Sequence, residues 1–266
     1  MYKLLALDID DTLTNMARAV PTSNIEAINR AQAAGVFVTV ATGRGYHGSS
    51  HIWKQLNIHG PVINYGGAIV MDSNTDTMLY STAVTPELVI EALEFAHELG
   101  VHSQLYQGDG IVCENENAYA QKYVSFLDLK MDIDPDIRKK SWNNVPKVLY
   151  ITDAENAERL MPIIAKRFED RLKVSASKPG FIEINHKDAH KGSAVAWVAQ
   201  YMGIPQEQVV AIGDNTLDSE MIKWAGLGVA VGNAYQSVKD IADIIAPDCA
   251  DNAVAWVIDN VILKGC

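Results

Sequence analysis

Cysteine is scarce in this chain. Cys113, Cys249 and Cys266 are the three among 266 residues, widely spaced and with no Cys-x-x-Cys pair. That argues against a disulfide scaffold and a thiolate metal site, and points to a reduced, cytoplasmic setting. Positive charge is also in short supply: 22 Lys+Arg face 33 Asp+Glu, a net −11. Nonspecific binding to nucleic acid or to an anionic membrane depends on positive charge, so neither is an expected partner, although a local anion site stays open. No run reaches the roughly 18 apolar residues that a transmembrane helix needs. The apolar stretch Leu4–Leu7 ahead of Asp8 is too short for a signal peptide. Internal repeats and low-complexity segments are lacking.

What is present is ordinary globular composition, 48% hydrophobic and 21% charged. The length suits one or two domains and a core that needs no staples. Leu4–Leu7, Val36–Ala41, Pro61–Asn64, Val209–Ile212 and Leu227–Val231 read as buried strands. Helical patterns lie between them. Ser23 and Glu26 form a capping-box pattern before Ile25, Ile28 and Ala31, with Gly35 as the stop. Lys191–Met202 and Asn252–Ile262 also carry helical spacing. The alternation predicts a mostly parallel sheet with helices on both faces.

The middle differs. Thr85-Pro86 opens a helix to Leu99; His102–Tyr106 and Gly110–Cys113 read as a hairpin through Gln107-Gly108-Asp109. Polar Asp132–Asn144 precedes a strand, Lys147–Ile151, and a helix, Glu155–Phe168. Residues 84–186 are therefore expected to form an α/β domain inserted in a core made of 1–83 and 187–266.

In an open parallel sheet, ligands sit just past the carboxyl ends of the strands. The first strand ends in Asp8-Ile9-Asp10-Asp11-Thr12, the second in Thr42-Gly43-Arg44, and a later one in Gly213-Asp214-Asn215 with Asp218 close behind. Lys191 opens the helix before that last strand. Two unit charges about 4 Å apart repel by on the order of 4 kcal/mol at an effective dielectric near 20. Convergent carboxylates thus need a cation or raised pKa values. Mg²⁺, a hard ion usually held by one or two carboxylates with phosphate and water, suits such a set. Lys191, the Thr42 hydroxyl and free N–H groups can hold a phosphate.

These four segments, in this order, resemble the motifs of the haloacid dehalogenase superfamily. The long insertion, Phe181-Ile-Glu-Ile ahead of Lys191-Gly192, and Val229-Ala-Val-Gly-Asn233-Ala234 are similar to its Cof-type phosphatases. The resemblance implies a Rossmann-like parallel-sheet core with an inserted α/β cap, acting on a small phosphate ester, such as a sugar phosphate, with Mg²⁺. It implies that Asp8 is the nucleophile and Asp10 the acid and base. Thr42, Gly43, Arg44, Lys191 and Asn233 would face the phosphate or substrate. The Asp8 carboxylate, the Asp10 carbonyl and Asp214 would hold the metal, with Asp218 a ligand through water or an anchor for Lys191. The sequence departs from the family in Leu217, which stands where an asparagine is usual, in Gly66-Gly67-Ala68, and in Ala253-Val254-Ala255.

A phosphotransferase or phosphomutase would share the chemistry up to aspartyl-phosphate. A non-catalytic module phosphorylated on aspartate would need neither Asp10 nor the insertion. Gly43-Arg-Gly45-Tyr-His-Gly48 matches a dinucleotide fingerprint, but the following strand ends at Asn64 without the required acid. The pairs His47/His51 and His186/His190 lack the glutamate of a zinc motif. Trp197, Trp224 and Trp256 are expected in helix packing. Gln104, Tyr106 and Asp109 lie near the hairpin. Composition names no oligomeric interface.

Overall fold

A computed structural model describes residues 1–264 apart from Met16, Asp109 and Asp128. The chain divides into two compact units, Met1–Tyr80 with His190–Cys266, and Ser81–Ala189. No helix among the described residues is long and apolar enough to cross a membrane.

The first unit is built on a parallel sheet. Its strands run in the order Ile244–Ile245, Leu227–Ala230, Val209–Gly213, Leu4–Leu7, Phe37–Val40. Leu4–Leu7 pairs in register with Val209–Ile212 on one side and Phe37–Val40 on the other. All four of its residues are fully buried, as expected of a central strand covered on both faces. The chain turns outward in opposite directions from this strand, so the sheet has its topological switch beside Leu4–Leu7.

Pro61–Asn64 is buried as expected, but it heads a separate antiparallel sheet with Ile69–Asp72 and Thr77–Ser81. A parallel bridge from Ala41 to Ile63 ties it to the main sheet. The helix after the first loop is Thr22–Ala33, and Ser23 does not cap it. Pro21 stands at the N-cap, while the Ser23 hydroxyl hydrogen-bonds Asn252 Oδ1 at 2.6 Å. The C-terminal helix starts at Ala253 and widens into a π-helical turn over Ile258–Ile262. Trp197 is stacked between Tyr80 and Tyr201 and Trp224 packs partly on the core, but Trp256 stays 38% exposed.

The second unit carries a six-stranded sheet in the order Leu172–Lys178, Phe181–His186, Lys147–Ile151, His102–Gln107, Gly110–Cys113, Lys130–Ile133. Its pairs are antiparallel except the last. Leu105, Val148, Tyr150, Ile182 and Ile184 share one core with Val89, Leu93, Leu160 and Ile164 from helices Pro86–Leu99 and Ala154–Arg167. The hairpin His102–Gln107/Gly110–Cys113 forms as read, with Gln104 and Tyr106 buried; Asp109 lies outside the described residues.

Candidate active site

Asp8 directly follows the central strand, and its N–H still donates to Ile212 O at 3.0 Å, prolonging the sheet register by one residue. The chain then leaves the sheet in a tight turn over Ile9–Leu13, with Asp11 at φ +58° and Thr14 N–H returning to Ile9 O. This turn holds Asp10 at the mouth, its side chain 49% exposed, and drives Thr12 inward to full burial. On the neighbouring strand, Asp214 occupies the position after Gly213. The Thr12 hydroxyl donates to Asp214 Oδ1 at 3.2 Å, joining two strand ends 202 residues apart.

Lys191 lies between two carboxylates. Its Nζ donates to Asp8 Oδ1 and to Asp218 Oδ1, each at 2.5 Å, and all three side chains are at most 5% exposed. Asp218 spends its other oxygen on the N–H groups of Asp214 and Asn215, at 3.0 and 3.1 Å. Its contacts are thus those of an anchor for both the lysine and the loop. Asp8 Oδ2 is buried with no hydrogen-bond partner.

Two glycines place the lysine. Gly67, at φ +101°, comes so close to the chain that a Cβ would lie 2.3 Å from His190 O. Gly192 lies equally tight on the next helix, where a Cβ would lie 2.5 Å from Glu220 O. The helix Lys191–Tyr201 is capped by His190, whose Nδ1 accepts the Ser193 N–H at 3.1 Å. A cation in the first turn opposes the helix dipole, and the two aspartates offset this.

Burial raises the Asp8 carboxyl well above its ordinary range; Asp218 and Asp214 push it further and Lys191 pulls it back. Asp214 is raised to about 6, by burial and then Asp218, against the Thr12 hydrogen bond and Lys191. Burial alone would lower Lys191, but Asp218 and Asp8 outweigh it and leave the ammonium raised. Asp8, Asp214 and Asp218 offer oxygens within 4.8 Å of one another. An unpartnered buried carboxylate oxygen in a cluster with surplus negative charge is a site chemically suited to a hard divalent cation.

Thr42, 1% exposed, ends the second strand; its hydroxyl oxygen accepts the Arg44 N–H at 3.1 Å, which leaves the hydroxyl proton to donate elsewhere. Gly43 next to it is exposed. Two residues expected at the phosphate are engaged otherwise. Arg44 forms a two-pronged pair with Asp10, Nε to Oδ2 at 3.0 Å and Nη2 to Oδ1 at 2.6 Å. Asn233 gives its amide to the backbone, Nδ2 to Asp11 O at 2.7 Å and Oδ1 from Cys249 N–H at 2.9 Å, so it braces the turn that carries Asp10. Local spacing does not reveal the His190 cap, the Thr12 hydroxyl link, or the hydrogen bonds that Asn64 Nδ2 and the Tyr65 N–H donate to the Arg44 carbonyl. The Gly66-Gly67 pair was the available signal for that last loop.

The family profile of haloacid dehalogenase-like hydrolases matches residues 5–258. The chain is 32% identical to YxeH of Bacillus subtilis over 99% of each chain. It is 25% identical to the pyridoxal phosphate phosphatase YbhA of Escherichia coli, over 96% of this chain and 97% of that protein. Among solved structures, a haloacid dehalogenase-like hydrolase from Bacteroides thetaiotaomicron superposes with a TM-score of 0.87 at 29% identity, covering 98% of this chain and 100% of the other.

Proposed function

The chain belongs to the haloacid dehalogenase-like hydrolase family, and from that premise we propose that it is a Mg²⁺-dependent phosphatase of small phosphate monoesters, sugar phosphates foremost, working through an aspartyl-phosphate on Asp8. The observation that carries the reading is the buried trio of Asp8, Lys191 and Asp218 beside Asp214, with one Asp8 oxygen unpartnered. A carboxylate held there by a cation is fixed in direction and kept from water. The relatives' names supply the substrate class: pyridoxal phosphate for YbhA, and a phosphorylated ribitylaminouracil for YitU of Bacillus subtilis, 25% identical over 95% of this chain.

In this reading the Asp8 carboxylate attacks phosphorus. The P–O bond to the alcohol breaks, and Asp10 protonates the departing oxygen. Asp10 then takes a proton from the water that attacks phosphorus and frees Asp8. Splitting one displacement into two lets the same carboxylate serve as acid and then as base. Lys191 and the Thr42 hydroxyl neutralise and orient the phosphoryl oxygens, helped by the N–H groups around Gly43. Asp8 and Asp214, with the Asp10 carbonyl, would hold Mg²⁺, while Asp218 anchors Lys191. When bound, the ion offsets the carboxylate repulsion and polarises the phosphoryl group. The setting is read as cytoplasmic.

Phosphate release from a panel of monoesters, hexose phosphates included, tests this. Release should vanish in EDTA, return with Mg²⁺, and fall by roughly a thousandfold or more in Asp8→Asn. Release that survives Asp8→Asn sinks the mechanism. Phosphate retained in an isomer or a second acceptor would make the protein a transferase.

A further inference from the structure

Arg44 is held from several sides, and the result is one direction for its guanidinium. Its N–H donates to Thr42 Oγ1 at 3.1 Å. Its carbonyl accepts the Tyr65 N–H at 2.9 Å and Asn64 Nδ2 at 3.4 Å. Its Nη1 reaches Gly48 O at 3.5 Å. Tyr65 adopts φ +51°, a conformation a bulky residue takes only when its surroundings enforce it. What remains of the guanidinium is presented to Asp10 as a fork, with Nε and Nη2 on separate carboxylate oxygens. Side-chain exposures of 25% and 49% put the pair at the mouth of the site, not in its depth.

We propose that Arg44 is a positioning residue for Asp10, fixing the plane of the acid/base carboxylate, and not a ligand of the substrate phosphate. This rests on the reading of Asp10 as acid and base. A planar guanidinium matches a carboxylate at two points and so fixes orientation as well as place, which an ammonium cannot do. The fork takes the Nε and Nη2 edge of Arg44, and Nη1 lies 3.5 Å from Gly48 O. Thr42, whose oxygen accepts the Arg44 N–H, keeps its own proton for the phosphate; one loop thus serves two different parts of the substrate.

The distinction is measurable because a general acid matters only when the leaving group is poor. The probes are aryl phosphates graded from 4-nitrophenyl, a good leaving group, to unsubstituted phenyl, a poor one, with inorganic phosphate as competitive inhibitor. Wild type is set beside Arg44→Ala, Arg44→Gln, Arg44→Lys and Asp10→Asn, all with Mg²⁺. The expected result for Arg44→Ala and Arg44→Gln is a fall in kcat of about tenfold to a hundredfold on phenyl phosphate, part of the roughly 10²–10⁴ that general acid–base catalysis supplies. On 4-nitrophenyl phosphate the fall should stay within about threefold, with the phosphate inhibition constant within about twofold. Arg44→Lys keeps the charge without the fork and should not restore the phenyl rate. Asp10→Asn should show the same leaving-group dependence, more steeply, and adding Arg44→Ala to it should cost little more.

Weaker phosphate inhibition with equal loss on both esters would overturn the proposal in favour of a phosphate ligand. Full rescue by Arg44→Lys would reduce the role to charge. Unchanged kinetics would make the pair a bystander. If Asp10→Asn itself shows no leaving-group dependence, the acid/base reading fails first, and it does so independently of Arg44.

Discussion

Each unit of this protein contains a cation between two carboxylates. In the first, Lys191 lies between Asp8 and Asp218. In the second, Arg138 lies between Glu94, at 3.0 Å, and Glu114, at 2.8 Å. The charge inventory is the same, and the surroundings are opposite. The lysine trio is at most 5% exposed, whereas the arginine trio has side chains 23–45% exposed. Water screens the second cluster and makes it a strut of small energy. Burial denies that screening to the first, so the Asp8 carboxyl pKa shifts upward and one of its oxygens is left without a partner. Reactivity here follows from withheld solvent more than from the identity of the charges.

The largest effect should come from Lys191→Met. It leaves two buried carboxylates facing each other, and removing one partner of a buried pair typically costs about 3–5 kcal/mol. Thermal unfolding should show that loss, and turnover should fall by roughly a hundredfold or more. If stability stays within about 1 kcal/mol of wild type, the buried trio is not the constraint described here.

The same lysine can be displaced without being altered. Gly67→Ala forces a Cβ against His190 O and a side chain into a positive φ. Strain of about 1–3 kcal/mol is expected, with a drop in kcat because the start of the Lys191 helix must shift. Calorimetry and kinetics on one preparation would test the pairing; strain without a change in kcat would separate the glycine from the site.

Acidity offers a third comparison. Asp214, raised to about 6, binds a proton in the folded state at pH values where the unfolded chain, near 4, has released it. That contribution to stability is fully present below about pH 4 and is lost as pH rises through about 6. In EDTA the unfolding free energy should therefore decline from pH 5 to pH 7, by on the order of 1–2 kcal/mol after allowing for partial exposure, with a lower melting temperature as the readout. Added Mg²⁺ should flatten the slope by binding the folded state, and Asp214→Asn should reduce it. A slope of opposite sign in wild type would contradict the raised value.

The smallest effect belongs to Arg138→Met. Loss of that surface strut should cost under about 1 kcal/mol and leave kcat unchanged, as seen in melting curves and initial rates. A larger loss would erase the contrast between the two trios.

The parts legible in the sequence were those set by short-range patterns. Asp8, Thr42 and Asp214 each follow a buried apolar strand, and strand ends in a parallel sheet are where chemistry gathers. Lys191 stood out because a cation opens its helix. Ser23 misled because a capping pattern also fits a chain whose turn Pro21 already sets. Lys130–Ile133 was read partly as polar loop, since a mostly exposed strand at the sheet edge carries little apolar signal. Arg44 and Asn233 were placed near the substrate, while their partners, Asp10 and Asp11, are fixed by loop geometry that no local spacing encodes.

The central strand also has a consequence for synthesis. Leu4–Leu7 leaves the ribosome some 200 residues before one of its two neighbours, Val209–Ile212. At about 5–20 residues per second that is a wait of about 10–40 s. For that time a wholly apolar strand of the sheet has one edge open, a template for mispairing. Asp8, next to this edge, meets Lys191 across 183 residues of chain. Asp8 therefore emerges before the cation it pairs with, and the nascent chain carries a charged, hydrated residue at the end of that open apolar strand. The aspartate that makes the mature site reactive would act during translation as a gatekeeper.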